Sequence, residues 1–267
     1  MIRLVATDID GTILPPGEKE IPQAIFDEAK KLADAGIAFC FASGRQYENL
    51  KKAGFPLLDQ AYFMCENGAV LFSPGEQPKL ISKTPMEWPC AMAISHQIMS
   101  YPDCEVFISG ENTTYLCPKG DEVTDIAEHL LANNLAIVAS PEAVPEPIVK
   151  VSAFCTDAYA MQPLLAADWE ERFTVSIAGD RWVDLTLANK GTALADLCAY
   201  LQIPLSEVAA FGDNFNDLPM LAIAGKPYIM ENSDPELKKM IPNHCADVPA
   251  EMRRIRLAQA GGQQKGE

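Results

Sequence analysis

The chain opens with an almost unbroken apolar run from Ile2 to Ala6, which gives way to a polar stretch beginning at Asp8. Two similar runs follow at Ile37 to Ala42 and Ala61 to Met64. Runs this short and this apolar predict parallel strands covered on both faces. Between the first two, Ile25, Ala29, Leu32 and Ala33 recur at helical spacing from Pro22 to Ala35, and Gly36 supplies the stop. A shorter helix, to about Ala53, separates the second run from the third. This strand–helix alternation predicts an α/β fold, a doubly wound, mostly parallel, Rossmann-like sheet with right-handed crossovers.

After Asn67-Gly68, itself a hairpin-turn signal, the rhythm changes. Ala69 to Phe72 and Lys79 to Ser82 read as a strand pair around Ser73-Pro74-Gly75. The pattern from Thr84 to Trp182 is that of an α+β unit. It predicts helices at Met86 to Ser100, Asp121 to Asn133 and Ala158 to Asp168. Strands are expected at Glu105 to Ile108, Thr113 to Cys117, Val149 to Phe154 and twice within Phe173 to Leu187, with a loop at Pro141 to Pro147. The earlier rhythm then returns: a helix at Lys190 to Leu201, a strand at Val208 to Phe211, a helix from Leu218, and a strand at Lys226 to Met230. Helices at Asp234 to Ile241 and Ala250 to Gln259 close the pattern. The expected organisation is a core formed by residues 1–83 and 185–260, an inserted α+β cap domain at 84–184, and a disordered tail at 261–267.

Composition narrows the function classes. At 267 residues and 48% hydrophobic, the chain can build two domains. Its 21 Lys and Arg against 37 Asp and Glu give a formal charge of −16. Such a field argues against nucleic acid and against an anionic membrane surface as partners, and any phosphate site needs local cations. None of the eight cysteines stands in Cys-x-x-Cys spacing and several lie inside apolar runs, so buried free thiols in a reducing compartment are expected. No uncharged apolar run approaches the ~20 residues of a membrane span. No signal-like segment precedes Asp8, and a cytoplasmic location is the expectation.

Four polar clusters fall at the expected carboxyl ends of core strands, where open α/β sheets bind ligands: Asp8/Asp10/Thr12, Ser43/Arg45, Lys190, and Asp213/Asn214/Asn216/Asp217. Asp8 and Asp10 can aim two carboxylates into one crevice, which requires a cation or a shared proton. Each cluster also has a plain structural explanation. Asp8-Ile9-Asp10-Gly11 can be a simple turn, and Ser43, Asn216 or Asp217 can cap the helix that follows. Lys190 is harder to explain that way, because a cation at a helix N-terminus opposes the helix dipole. All four clusters on one sheet edge favour function.

In order, Asp8-x-Asp10-Gly11-Thr12, Ala42-Ser43-Gly44-Arg45, Asn189-Lys190-Gly191 and Gly212-Asp213-Asn214-x-Asn216-Asp217 resemble the four motifs of the haloacid-dehalogenase superfamily. The insert between the second and third resembles that of the Cof-type (IIB) branch. The resemblance implies a phosphatase in which Asp8 is the nucleophile, forming an aspartyl-phosphate, and Asp10 is the general acid and base. It implies Mg2+ held by Asp8, the Asp10 backbone carbonyl and Asp213. Ser43 and Lys190 hold the transferring oxygens in this scheme, with Lys190 also pairing with Asp8. Asp217 orients Lys190 or a water on the metal, Asn216 reaches the phosphoryl group or the metal shell, and Asn214 supports them. Thr12 fixes the loop and Asp10, Gly11 lets backbone amides approach the phosphate, and Arg45 contacts substrate or pairs on the surface.

The expected substrate is a small phosphorylated metabolite, a sugar phosphate or similar phosphomonoester, with the insert as a lid. A phosphomutase using the same intermediate and a non-catalytic phospho-ligand sensor are the alternatives. Lys150 and Arg181 are cap cations expected in ordinary salt bridges, with contact to a second anionic group of the substrate as the alternative; the histidines His96, His129 and His244 are expected on helix faces or the surface, and Met86, Met92, Met99 and Trp88 in the insert's core.

Overall fold

The computed structural model describes residues 1–120 and 134–263. The helix expected at Asp121 to Asn133 and the last four residues of the expected tail lie outside the described residues. Fourteen strands form two sheets among those described. The first sheet contains β1 (Leu4–Thr7), β2 (Ala38–Ala42), β3 (Ala61–Cys65), β4 (Val70–Phe72), β5 (Leu80–Lys83), β12 (Val208–Gly212), β13 (Lys226–Met230) and β14 (His244–Cys245). Their order is β14-β13-β12-β1-β2-β3-β4-β5. It is parallel from β14 to β3, and β4 and β5 add antiparallel strands at one edge. β1 lies at the centre, with Leu4–Thr7 in register with Val208–Phe211 on one side and Ala38–Phe41 on the other.

Strand alternation divides the buried residues between two layers. Val5, Phe39, Phe41 and Phe63 pack with Ile25, Ala29 and Leu32 of the helix Gln23–Asp34 and with Met252 and Ile255 of the helix Val248–Gln263. Leu4, Ala6, Cys40 and Met64 pack on the other face with Ala193, Leu194, Leu197 and Cys198 of the helix Lys190–Leu201. Each buried aliphatic or aromatic side chain contributes about 1.5–3 kcal/mol of transfer free energy, which is what holds the strand ends in place.

The second sheet is built from β6 (Cys104–Ser109), β7 (Thr114–Leu116), β8 (Leu135–Ile137), β9 (Lys150–Cys155), β10 (Thr174–Ile177) and β11 (Trp182–Thr186), in the order β10-β11-β9-β6-β7-β8. Val106, Ile108, Val151, Ala153, Val183 and Leu185 bury one face in a cluster with residues of the helices Trp88–Ser100 and Ala158–Trp169. The alternate positions on these strands, Phe107, Ser109, Lys150, Ser152, Trp182 and Asp184, line a crevice shared with the first sheet.

Some expectations need correction. β8 and β14 have three and two residues, too short for periodicity to reveal. The last helix begins at Val248 and continues to Gln263, past the expected start of the tail, because a helix docked through Met252 and Ile255 propagates cheaply. Trp88 is 43% exposed at the first position of its helix, whereas Met86 and Met92 are buried and Met99 packs against them. All eight cysteines are buried free thiols. Among the described residues, no helix is long and apolar enough to cross a membrane.

Candidate active site

The site is assembled at the carboxyl ends of β1, β2 and β12. The Asp8 amide donates to the Phe211 carbonyl at 2.9 Å, extending the β1–β12 ladder one step and seating a nearly buried Asp8 side chain at the crevice. The chain then turns through Gly11 at φ +92°. A Cβ there would lie 2.2 Å from Asp213 Oδ2, so the close approach of that carboxylate requires glycine as much as the dihedral does. The Gly11 N–H is donated to the Leu14 carbonyl, so this amide closes the turn rather than facing a ligand. The Thr12 hydroxyl donates to Asp213 Oδ1 at 3.1 Å, holding Asp213 rather than Asp10.

Lys190 follows the second sheet's β11 and is the first residue of the helix Lys190–Leu201, so it does not sit at a core strand end as expected. Asn189 and Thr192 form a capping box that fixes this terminus. The Lys190 side chain is completely buried, and its Nζ donates to Asp8 Oδ1 at 2.6 Å and to Asp217 Oδ1 at 2.5 Å. Asp217 Oδ2 accepts the amides of Asp213 and Asn214 at 2.9 and 3.0 Å, closing the turn after β12. Asp217 thus serves as turn cap and as lysine partner. Asn214 Oδ1 accepts the Phe215 amide and stabilises the same turn.

Burial raises the Asp8 carboxyl well above the ordinary range; Lys190 opposes this, while Asp217 and Asp213 add to it. Burial, then the Asp217 charge, pushes Asp213 up to about 6. Burial disfavours the Lys190 charge, but Asp217 and Asp8 outweigh it and keep the ammonium above its usual value. Oxygens of Asp8, Asp213 and Asp217 lie within 4.8 Å of one another. Both Asp217 oxygens are already engaged, which leaves Asp8 and Asp213 as hard donors whose repulsion a divalent cation relieves. The donor set fits a divalent metal.

Ser43 is buried and its Oγ accepts the Arg45 amide at 3.2 Å. The helix Tyr47–Ala53 starts too late for Ser43 to cap it. Arg45 turns into the crevice, where Nε donates to Asp10 Oδ2 at 2.9 Å, Nη2 makes a second, shorter contact with Asp10 Oδ1, and Nη1 reaches Asn49. Glu66 and Asn67 are consecutive non-glycine residues with φ of +52° and +55°. Their amides donate to the Arg45 and Ser43 carbonyls, so this strained turn clamps the Ser43–Arg45 loop. Asn67-Gly68 is a turn, as its sequence indicates, yet the Asn67 side chain belongs to the site. Its Nδ2 donates to Asp184 Oδ2 at 3.0 Å, and its Oδ1 accepts from Asn216 at 3.2 Å.

Lys150 is in salt bridges, though buried ones: Nζ lies 2.5 Å from Glu66 Oε2 and 3.3 Å from Asp184 Oδ2. Ser152 donates to Asp184 Oδ1 at 2.7 Å. Arg181 makes no salt bridge among the described residues; it stacks 4.1 Å over Phe154 and donates to the Cys155 carbonyl. His96 and His244 are exposed, and His129 lies outside the described residues.

The crevice has a volume of 550 Å³, with Asp8, Asp10, Ser43, Arg45, Asp213 and Asn216 on one wall. Phe107, Lys150, Ser152, Trp182 and Asp184 form the opposite wall. Sequence reasoning missed Glu66, Ser152 and Asp184. A usable signal existed, since Lys150-Val-Ser152-Ala and Trp182-Val-Asp184-Leu put polar groups on one face of strands whose other face is apolar.

A family model for haloacid dehalogenase-like hydrolases matches residues 5–249. The 5-amino-6-(5-phospho-D-ribitylamino)uracil phosphatase YbjI of Escherichia coli (strain K12) is 25% identical, with 87% of this chain and 86% of that protein covered. A solved haloacid dehalogenase-like hydrolase from B. subtilis superposes with a TM-score of 0.82 at 22% identity, covering 94% of this chain and 99% of that one. The HAD subclass IIB sugar phosphatase BT4131 gives a TM-score of 0.77 at 19% identity, covering 94% and 98%.

Proposed function

The chain belongs to the haloacid dehalogenase-like hydrolases, in the Cof-type branch, and is a phosphatase of that family; on this premise we propose that it hydrolyses a small phosphomonoester through an aspartyl-phosphate on Asp8. The observation that carries the reading is the buried Asp8–Lys190–Asp217 chain, with Asp213 beside it and the crevice open in front. Lys190 holds one Asp8 oxygen, which orients the other for in-line attack and offsets the repulsion between carboxylate and phosphate. Asp8 attacks phosphorus, the ester P–O bond breaks, and Asp10 gives its proton to the leaving alkoxide. Water then attacks the aspartyl-phosphate, Asp10 takes the water's proton, and the Asp8–phosphorus bond breaks to release phosphate.

Arg45 donates to both oxygens of Asp10, which fixes that carboxyl in the crevice it shares with Asp8. Ser43 and Asn216 line the space beside Asp8 and provide donors to the phosphoryl oxygens, while Thr12 and Gly11 keep Asp213 in place. Asp8, Asp213 and the Asp10 carbonyl are the residues that would hold Mg2+, which supplies positive charge against the phosphate. Residues 84–184 act as a cap that excludes bulk water and contacts the leaving group. The relative's name supports a phosphorylated polyol or sugar as the substrate class.

The test is phosphate release from p-nitrophenyl phosphate and a panel of sugar and polyol phosphates, with and without Mg2+, for wild type and Asp8→Asn. Mg2+-dependent release that disappears in the variant is the expected result. Activity that survives Asp8→Asn overturns the assignment of the nucleophile.

A further inference from the structure

The cations of the crevice are already committed. Arg45 and Lys150 are the only Lys or Arg residues among the described residues that line it, against the carboxylates of Asp8, Asp10, Glu66, Asp184 and Asp213. Arg45 is paired with Asp10. Lys150 is buried between Glu66 and Asp184, and it also reaches the Gly44 carbonyl at 3.3 Å. The Glu66–Lys150–Asp184 group therefore sets two carboxylates against one ammonium, with burial raising the Glu66 carboxyl and Lys150 opposing that, and it is shared between the turn after β3 and the second sheet. Lys150 and Asp184 stand on the wall opposite Asp8, Asp10 and Ser43, the side that the proposed function gives to the leaving group. Lys190 and the metal expected at Asp8 and Asp213 offset the phosphoryl group being transferred, on the Asp8 side of the crevice. No uncommitted cation lines the leaving-group side among the described residues.

We propose that the Glu66–Lys150–Asp184 triad sets the charge specificity of the crevice, admitting phosphomonoesters whose leaving group carries no anion and rejecting those with a second phosphate or a carboxylate. This rests on the phosphatase reading above. A second anion near the triad meets two fixed carboxylates whose lysine is shared, in a partly dry site where like charges are costly. Neutral hydroxyls meet the reverse: Ser109, Thr114, Ser152 and the carboxylate oxygens offer partners, and Phe107 and Trp182, packed edge to face, give an apolar surface.

Sorbitol 6-phosphate and 6-phosphogluconate are open-chain six-carbon esters that differ at the far end by CH2OH against carboxylate. Wild type is expected to prefer sorbitol 6-phosphate in kcat/KM by about tenfold or more. If neither ester turns over, the same ratio is read from their inhibition constants against p-nitrophenyl phosphate. Glu66→Gln removes one charge and should shrink the ratio several-fold, as should Asp184→Asn, which provides a second route if the strained Glu66 turn tolerates no change. Lys150→Met should widen it. Opposite movements for carboxylate and lysine variants are the signature of charge, since a packing defect alters both esters alike. Equal kcat/KM for the two esters in wild type, or a ratio unmoved by all three variants, overturns the proposal while leaving the phosphatase reading intact. Failure of wild type to hydrolyse any ester, including p-nitrophenyl phosphate, overturns the phosphatase reading itself and with it the proposal.

Discussion

Lys190→Met is the substitution whose consequences the structure defines most sharply. The lysine has no exposed surface, and its ammonium is shared between Asp8 Oδ1 at 2.6 Å and Asp217 Oδ1 at 2.5 Å. Methionine fills most of the same volume, so the loss is mainly that of the charge. Breaking a buried ion pair by removing one partner costs about 3–5 kcal/mol, because the remaining charge is left without compensation. Two carboxylates are left here, which puts the estimate at the upper end of that range. For a chain of this size each kcal/mol moves Tm by about 2–4 °C, so a fall of roughly 10 °C or more is expected in a thermal melt at pH 7.5. Phosphate release should fall by about 10²–10³-fold even where the variant is fully folded, since a preorganised donor at the carboxylate proposed as nucleophile is lost.

The double variant Lys190→Met/Asp217→Asn separates the two effects. The asparagine side chain has no charge to leave unpaired, and its oxygen can still accept the Asp213 and Asn214 amides. It should recover about half of the lost stability and none of the activity. A Lys190→Met protein melting within about 2 °C of wild type would refute the claim that the ammonium compensates both carboxylates. Recovery of activity in the double variant would refute a direct role for Lys190 at Asp8.

Gly11→Ala forces a Cβ to within 2.2 Å of Asp213 Oδ2 at a backbone φ of +92°. It should cost about 1–3 kcal/mol and weaken Mg2+ binding, measured by calorimetric titration; unchanged metal affinity would show that Asp213 is not a ligand. Glu28 provides a pH prediction away from the site. Burial raises its carboxyl, but Lys31, Arg253 and Arg256 outweigh this and hold it below the ordinary value. A lowered folded-state pKa contributes stability above the ordinary carboxylate range and loses it as pH falls through the lowered value. Glu28→Gln should therefore melt lower at pH 7 by an amount equivalent to about 1–2 kcal/mol, discounted because Lys31 and Arg253 are half exposed or more, with the gap closing in acid. A deficit independent of pH would point to packing instead.

The parallel strands β1, β2, β3, β12 and β13 and the helices packed on them were legible because each buries a nearly continuous apolar run or a 3.6-residue stripe, patterns that persist whatever surrounds them. Asp8, Lys190, Asp213 and Asp217 were legible as candidates because each stands beside a glycine or at an element boundary in a recognisable motif. Other features depended on distant partners. Asp213 comes to Gly11 only because β12 pairs with β1, and Lys190 reaches Asp8 only because the chain returns from the second sheet directly into the helix Lys190–Leu201. Lys150 was legible as a cation in a salt bridge, but only tertiary structure buried it between Glu66 and Asp184, residues 84 positions before it and 34 after it. Local pattern determines which face of a strand is apolar. What the polar face meets is decided by how two sheets, built from separate stretches of chain, close around one crevice.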